Sequence, residues 1–252
     1  MNRYEALRRD RPDWFRDGGP GGIEILTDPG SVRAARRLVS KASRPAARGP
    51  LSALWGRLRA TLRPVPVGVL SAGRFLWHLR DPVRFPDGRL GLYDRVLPPP
   101  EASPGVVVLP LLGPAGPGTR VVLIEHYRHA TRDRHWEVVR GFGEPGASTE
   151  ENATRELREE IGAVPTSVTD LGELHPDTGL LGHRVRLCAA RMDEVGALEE
   201  GEAIGRAITV PVAEAEEMVA DGRITDGFTV AVLYRARLSG VFDPKSEEQQ
   251  VT

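Results

Sequence analysis

The sequence predicts a mixed α/β (α+β) sandwich, in which helices cover a sheet. Two observations predict this fold class. Short apolar runs typical of strands, at residues 106–109 and 121–124, are separated by a Gly/Pro-rich turn. Segments with helical patterns follow, one charged and entered through a Gly-rich loop, and two more at residues 212–220 and 228–238. A chain that mixes both element types buries its apolar faces by stacking them in layers.

Length and charge bound the classes of protein that remain. The 252 residues suit one catalytic-size domain with a substantial appendage. The chain has 34 Lys+Arg against 35 Asp+Glu, a formal charge of -1, so overall charge does not favour binding to nucleic acid or to a membrane. The 28 Gly and 21 Pro indicate many turns.

Cysteine content and hydropathy predict a soluble cytoplasmic protein. Cys188 is the single cysteine, which excludes an intrachain disulfide and a multi-Cys zinc site. It lies in an apolar strand pattern, which predicts a core position. The longest apolar run, residues 106–112, is interrupted by Pro110 and is far shorter than the roughly 20 residues that cross a bilayer. The polar N-terminus leads into no apolar segment of a secretory signal.

The first element is a basic, mainly helical extension over residues 1–63. No acidic residue occurs between Asp28 and Asp81. An apolar stripe shares one helical face, formed by Leu51, Leu54, Trp55, Leu58 and Leu62. The extension is either a surface for an acidic partner such as nucleic acid or anionic lipid, or a solvated face whose stripe packs on its own protein or on a second subunit. We favour the second interpretation; a nucleic-acid partner is not expected, although the extension leaves it open.

The next elements form a small β unit and linker over residues 64–103, followed by a larger domain over residues 104–243 and a polar tail over 244–252. Strand-type runs at 75–79, 83–85 and 90–93, with a Pro-Asp-Gly turn before the last, predict a hairpin. In the larger domain, strands are predicted near 106–109, 121–124, 136–139, 168–174, 183–188 and 207–210.

The charged helix carries the chemistry. Ser148 or Thr149 is suited to cap it, and Gly162 to end it. Glu156, Glu159 and Glu160 stand at i, i+3 and i+4, so their carboxylates project from one face. Such carboxylates repel one another unless a cation neutralises them, and their hard oxygen atoms suit Mg²⁺ or Mn²⁺. The alternative is a solvated acidic face paired with Arg155 and Arg158.

The register of this segment resembles the Nudix box, Gly, five residues, Glu, seven residues, Arg-Glu-aliphatic-x-Glu-Glu-x-Gly-aliphatic. The positions in register are Gly141, Arg155, Glu156, Leu157, Glu159, Glu160 and Gly162. The departure is Ala147, where the family pattern has Glu. The resemblance implies a Nudix α/β/α sandwich, preceded by a β-rich unit that forms a homodimer and by the basic helical extension.

The resemblance also implies roles for the box residues. Glu156, Glu159 and Glu160 would bind Mg²⁺, with Mn²⁺ as an alternative, and Glu160 would serve in catalysis as well. Arg155 would organise the helix and its carboxylates. The backbone carbonyl of Arg140 would lie near a metal.

Flanking segments are similar to ADP-ribose pyrophosphatase-like Nudix enzymes. Residues 125–128 and 136–141 resemble a strand pair in which Arg128 and Glu137 face the substrate; the alternative is a cross-strand ion pair. Residues 175–179 resemble a Pro-Gly loop of these enzymes, or are simply a turn. Glu200 and Glu202 are candidates for a general base or a further metal ligand, or belong to an exposed acidic loop.

The implied activity is Mg²⁺-dependent hydrolysis of the diphosphate linkage of ADP-ribose or a related nucleoside diphosphate derivative. Two alternatives stay open. One is a Nudix module that binds a nucleotide without hydrolysing it, and the other is a biosynthetic Nudix phosphohydrolase acting on another diphosphate. The three helix glutamates favour hydrolysis, whereas Ala147 and the basic extension favour another role.

Overall fold

The computed structural model describes residues 3–42, 65–199, 201 and 203–244. The chain divides into two compact units. The first comprises Met1–Pro100 with Asp177–Gly182, and the second comprises Glu101–Pro176 with His183–Thr252. The stripe Leu51, Leu54, Trp55, Leu58 and Leu62 lies outside the described residues, so its packing stays a prediction.

In its described residues, the first unit is a small antiparallel sheet with two α-helices. Its elements are α1 (Arg3–Asp10), β1 (Glu24–Ile25), α2 (Pro29–Ala42), β2 (Gly68–Ala72), β3 (Trp77–Arg84) and β4 (Leu90–Leu97). Strand β3 pairs with all three others, and its pairing with β4 confirms the predicted hairpin. Buried Asp81 accepts hydrogen bonds from the Tyr4 hydroxyl and from Arg95 Nε, which ties α1 to this sheet.

The second unit, as far as residues 101–176 and 183–244 are described, is a seven-stranded mixed sheet with three helices. Its elements are β5 (Ser103–Leu112), β6 (Arg120–Arg128), β7 (Asp133–Glu137), β8 (Val139–Gly143), α3 (Thr149–Ile161), β9 (Ser167–Leu174), β10 (Val185–Met192), β11 (Ile204–Pro211), α4 (Val212–Ala220) and α5 (Gly227–Leu238). The strand order is β11-β6-β5-β10-β9, with β7 beside β6 and β8 beside β5. Strands β5 and β10 are parallel, and the other pairs are antiparallel.

Alternating side chains of β5 enter two separate cores. Val107 and Leu109 pack in the core that contains α4 and α5, whereas Val106 and Val108 pack in the core that contains α3. The sheet is therefore covered by helices on both faces, because each face of a strand carries every second side chain. This confirms the predicted α/β/α sandwich.

Two predicted strands differ in their limits. The run at 136–139 is divided between β7 and β8, because the amide of Val138 donates to Thr229 Oγ1 at 3.1 Å instead of continuing the ladder. Strand β10 continues past Cys188 to Met192, since all of its residues pair with β5. Cys188 is buried as predicted, and burial raises the pKa of its thiol to about 12. No helix in the described ranges has the length and apolar character of a membrane span.

Candidate active site

Local capping signals set the limits of α3. Ser148 Oγ accepts a hydrogen bond from the Glu151 amide at 3.1 Å, and Glu151 Oε2 accepts from the Ser148 amide at 2.7 Å. This reciprocal pair satisfies two backbone donors at the start of the helix. Gly162 ends the helix in the left-handed conformation, with φ of 61°. The helix therefore holds the three glutamates on rigid backbone, as the sequence predicts.

The three carboxylates differ in burial. Glu156 and Glu160 are 6% and 3% exposed, whereas the Glu159 side chain is 54% exposed. Glu156 lies against Gly141 of β8 so closely that an added Cβ on Gly141 would be 1.9 Å from Oε1 of Glu156. The absence of a side chain at Gly141 is therefore what gives this carboxylate its place. The prediction that Gly141 belongs to the Gly-rich loop is wrong, because Gly141 lies in strand β8.

Arg155 connects the helix carboxylates to the neighbouring strand. Its Nη2 donates to Glu156 Oε1 and to the Phe142 carbonyl, both at 2.6 Å, and its Nη1 donates to Glu159 Oε2 at 2.7 Å. Arg155 thus places positive charge between two anions that would otherwise repel each other, which fits its predicted organising role.

Glu144 partly compensates for the glutamate that the box lacks at Ala147, because it forms an ion pair with Arg155. Glu144 Oε1 lies 3.5 Å from Arg155 Nε, while Glu150 makes no ion pair with Arg155 in the described structure. Beside Ala147 there is a cavity of about 260 Å³, lined by Ser103, Pro104, Val106, Ala147, Ser148, Thr149, Asn152 and Arg186. Glu144 is largely exposed, so its ion pair with Arg155 contributes little, at most about 1 kcal/mol.

The donor chemistry of α3 fits a divalent cation. One face of the helix offers the carboxylates of Glu156, Glu159 and Glu160, of which the first and the last are buried, and carboxylate oxygen is the ligand type that Mg²⁺ and Mn²⁺ prefer. Within the described ranges, however, no three His, Cys, Asp or Glu side chains converge as a preformed metal cluster. In this conformation Arg155 takes one oxygen of Glu156 and one of Glu159.

A second charged group surrounds Glu137, which is 1% exposed. Arg128 donates to Glu137 Oε2 from Nε at 2.8 Å, and Arg140 donates to the same oxygen from Nη2 at 3.2 Å. The predicted pair Arg128 and Glu137 therefore forms the ion pair of the alternative interpretation, although Arg128 remains partly exposed. Their role toward a substrate stays a prediction.

The structure adds residues to this group that the sequence interpretation did not include. Asp226 Oδ1 lies 3.8 Å from Arg140 Nη2, and the buried His126 lies in the same electrostatic environment. Burial first, and then Arg128, lower the pKa of His126 to about 4. The sequence contains a signal for Asp226, because an Asp directly before a helical segment is typical of an N-cap. In the structure, Asp226 Oδ2 accepts a hydrogen bond from the Thr229 amide at 2.9 Å.

Two predicted catalytic residues, Glu200 and Glu202, lie outside the described residues. The segment before them is attached to α3, since the Glu199 amide donates to the Glu160 carbonyl at 3.2 Å and the Gly196 amide to the Ile161 carbonyl at 2.9 Å. This brings the chain to the carboxylate helix immediately before Glu200.

The predicted Pro-Gly loop divides between the two units at Asp177. Asp177 Oδ1 accepts from the Gly179 amide at 2.8 Å, as in a turn. The Gly179 carbonyl accepts from the Tyr93 hydroxyl at 2.6 Å, and the Val96 amide donates to the Leu180 carbonyl at 2.9 Å. Residues 177–182 thus pack on β4, and their role at a substrate stays a prediction.

Comparisons with known proteins agree on this part of the chain. Residues 102–225 match the family model described as the NUDIX domain. A 101-residue stretch is 34% identical to the GDP-mannose pyrophosphatase of Yersinia enterocolitica serotype O:8 / biotype 1B (strain NCTC 13174 / 8081), over 37% of this chain and 51% of that protein. The chain therefore matches about half the length of this curated relative.

A solved structure resembles the fold. The crystal structure of an ADP compounds hydrolase superposes with a TM-score of 0.57 at 22% identity, covering 69% of this chain and 91% of that one. At this identity the likeness shows the fold alone.

Proposed function

We propose that the chain, whose residues 102–225 match the NUDIX domain, is a pyrophosphohydrolase that cleaves the diphosphate linkage of a nucleoside diphosphate derivative. The curated relative supports the substrate class, since it is named for GDP-mannose. ADP-ribose or a nucleotide sugar is the substrate that we propose.

One observation carries the proposal, namely the placement of Glu156. A carboxylate that is 6% exposed and set against the backbone of Gly141 is held in one position by the fold, at a cost in desolvation. Glu160, one helical turn on, is also buried. Two buried carboxylates on one face are poorly explained by a solvated acidic helix, and they fit a cation site.

Residues of α3 would bind the metal ion and orient its ligands. Glu156, Glu159 and Glu160 would hold Mg²⁺ or Mn²⁺, together with the backbone carbonyl of Arg140. Such a cation neutralises phosphate oxygens and lowers the pKa of bound water. Arg155 keeps the carboxylates oriented through its bonds to Glu156 and Glu159.

Other residues would bind the substrate and accept a proton. Arg128, held by Glu137, would bind a phosphate oxygen through its guanidinium. Glu200 or Glu202 would accept the proton of the attacking water, or act as a further metal ligand. The attachment of Glu199 to α3 supports this role, because it brings the preceding residue to the helix that carries Glu160.

We also propose that the protein is cytoplasmic and forms a homodimer through its β unit.

The test is a panel of diphosphate compounds, incubated with purified protein and Mg²⁺, with products identified by mass spectrometry. The panel holds ADP-ribose, GDP-mannose, other nucleotide sugars and non-nucleotide diphosphates. We expect a nucleoside monophosphate and a sugar phosphate from at least one nucleoside diphosphate derivative. Turnover restricted to non-nucleotide diphosphates, or binding of ADP-ribose with no product, would overturn the proposal.

A further inference from the structure

Two arginines donate hydrogen bonds to the same carboxylate oxygen of Glu137. Arg128 donates to its Oε2 from Nε at 2.8 Å and from Nη2 at 2.5 Å, and Arg140 donates to the same oxygen from Nε at 3.3 Å and from Nη2 at 3.2 Å. Glu137 is fully buried. A single arginine neutralises a single carboxylate, so the second guanidinium is not required to stabilise Glu137.

The guanidinium of Arg140 is held in place from three sides. Glu137 accepts its hydrogen bonds, Asp226 Oδ1 lies 3.8 Å from Nη2, and its Cζ lies 4.9 Å from the centroid of the Phe228 ring. Asp226 is itself fixed, because its Oδ2 accepts from the Thr229 amide and hydroxyl. A long side chain loses rotamer freedom when it is held in this way, so Arg140 is positioned before any ligand arrives.

Both arginines keep a donor group for a ligand. The Nη1 groups of Arg128 and Arg140 make no hydrogen bond within the described part of the chain, and the two side chains are 27% and 24% exposed. Both arginines also act on His126 nearby, because Arg128 and Arg140 lower the pKa of His126 while Glu137 raises it.

Strand β8 links the Arg140 side chain to the carboxylate helix through its backbone. Arg140 directly precedes Gly141, and the backbone of Gly141 lies directly against the Glu156 carboxylate. Successive side chains of a strand point to opposite faces, so the Arg140 guanidinium lies beside the start of α5, whereas Glu156 lies on the α3 side of the strand. Guanidinium groups match the geometry of phosphate, to which they donate parallel hydrogen bonds.

From these interactions we propose that the side chain of Arg140 is a substrate-binding residue. With Arg128 it forms a two-guanidinium site, aligned on Glu137, that binds one phosphate group of the substrate. The inference rests on the proposed function for its substrate class, and it assigns to Arg140 a side-chain role distinct from that of its backbone carbonyl. The competing explanation is a purely structural ion pair, and the experiment separates the two.

The experiment uses three variants of the full chain. Arg140→Met removes the guanidinium and keeps a long apolar stem, while Arg140→Lys keeps the charge without the planar fork. Arg237→Met is the matched control, since Arg237 also pairs with a glutamate, Glu216 at 2.7 Å, and its Cζ lies 5.0 Å from the centroid of the Phe242 ring. Melting temperatures report folding for each variant.

The measurement is calorimetric titration of inorganic pyrophosphate in the presence of EDTA. We expect affinity to fall at least tenfold in Arg140→Met and by a smaller factor in Arg140→Lys, with no change in Arg237→Met. If Arg140→Met does not fold, the comparison of Arg140→Lys with wild type decides. Unchanged affinity in the folded Arg140 variants, or no pyrophosphate binding by the wild-type protein, overturns the inference.

A second readout separates this inference from the proposed function. With the best hydrolysed substrate, Arg140→Met is expected to raise KM about tenfold and to change kcat less. Hydrolysis with an unchanged KM and unchanged pyrophosphate affinity would refute the role of Arg140 alone. Loss of pyrophosphate affinity in Arg140→Met, together with no hydrolysis of any nucleoside diphosphate derivative, would refute the proposed function and leave the anion site standing.

Discussion

Replacing Gly141 by alanine tests the close approach of β8 to α3. The added Cβ would lie 1.9 Å from Glu156 Oε1, 2.0 Å from its Cδ and 2.2 Å from Oε2, where the distances from real Cβ atoms to their neighbours stay above 3.0 Å. The carboxylate or the strand must therefore move by about 1 Å or more. Arg155 resists this movement, because its Nη2 bonds both Glu156 and the Phe142 carbonyl.

The expected cost follows from these distances. Overpacking of a buried site destabilises a protein by about 1–3 kcal/mol. A displacement of about 1 Å in a reacting or ligand group lowers turnover by roughly 100-fold. Gly141→Ala should therefore lose both stability, measured as the midpoint of urea unfolding, and kcat at saturating Mg²⁺.

Gly227→Ala is the control for this prediction. Gly227 opens α5 and has no atom within 4 Å of an added Cβ. Alanine there should be neutral, or stabilise the helix by up to about 1 kcal/mol. If Gly141→Ala keeps its unfolding midpoint and its kcat within twofold of wild type, the close approach of Glu156 to this strand is wrong.

Three further predictions concern single features of the chain. Ala147→Glu should raise kcat/KM by roughly tenfold or less, because a restored pair with Arg155 is worth about 1 kcal/mol; a folded but slower variant would show that the site needs the small residue. The folded protein keeps His126 neutral, because the pKa of this group is about 4 when folded and 6.5 when unfolded. The contribution of His126 to the unfolding free energy is therefore fully present above pH 6.5 and is lost as pH falls toward 4. The unfolding free energy of wild type should drop about 2 kcal/mol more than that of His126→Gln between pH 7 and pH 5, and parallel curves from urea titrations would contradict this. Deletion of residues 1–60 should lower solubility or change the mass measured by light scattering, because it removes α1 and β1 from the first sheet; unchanged mass, melting temperature and activity would contradict this packing.

The sequence predicts α3 closely because its signals are local. Ser148 and Gly162 carry the capping chemistry within a few residues of the ends, and the spacing of the glutamates determines which face they share. Spacing does not determine burial. Glu159 is exposed while Glu156 and Glu160 are buried, because burial depends on tertiary contacts such as that of Glu156 with Gly141 of β8.

The features that the sequence did not predict depend on distant partners. The break at Val138 arises from Thr229, 91 residues later, which takes the amide that a continuous strand would use. The contacts of the Arg140 side chain have no local signal for the same reason, since Asp226 and Phe228 reach it from the start of α5. Residues 175–179 are predicted to be a turn or a family loop, but the hydrogen bonds of residues 179–182 to β4 have no local signal.

The buried carboxylates of α3 are proposed to support metal-dependent hydrolysis of a diphosphate linkage. The most direct measurement is kcat for the best nucleoside diphosphate substrate across a Mg²⁺ titration, in wild type, Glu160→Gln and the exposed control Glu150→Gln on the same helix. We predict a loss of orders of magnitude in Glu160→Gln at an unchanged melting temperature, and near wild-type turnover in Glu150→Gln. Turnover of Glu160→Gln within twofold of wild type at every Mg²⁺ concentration would contradict the account.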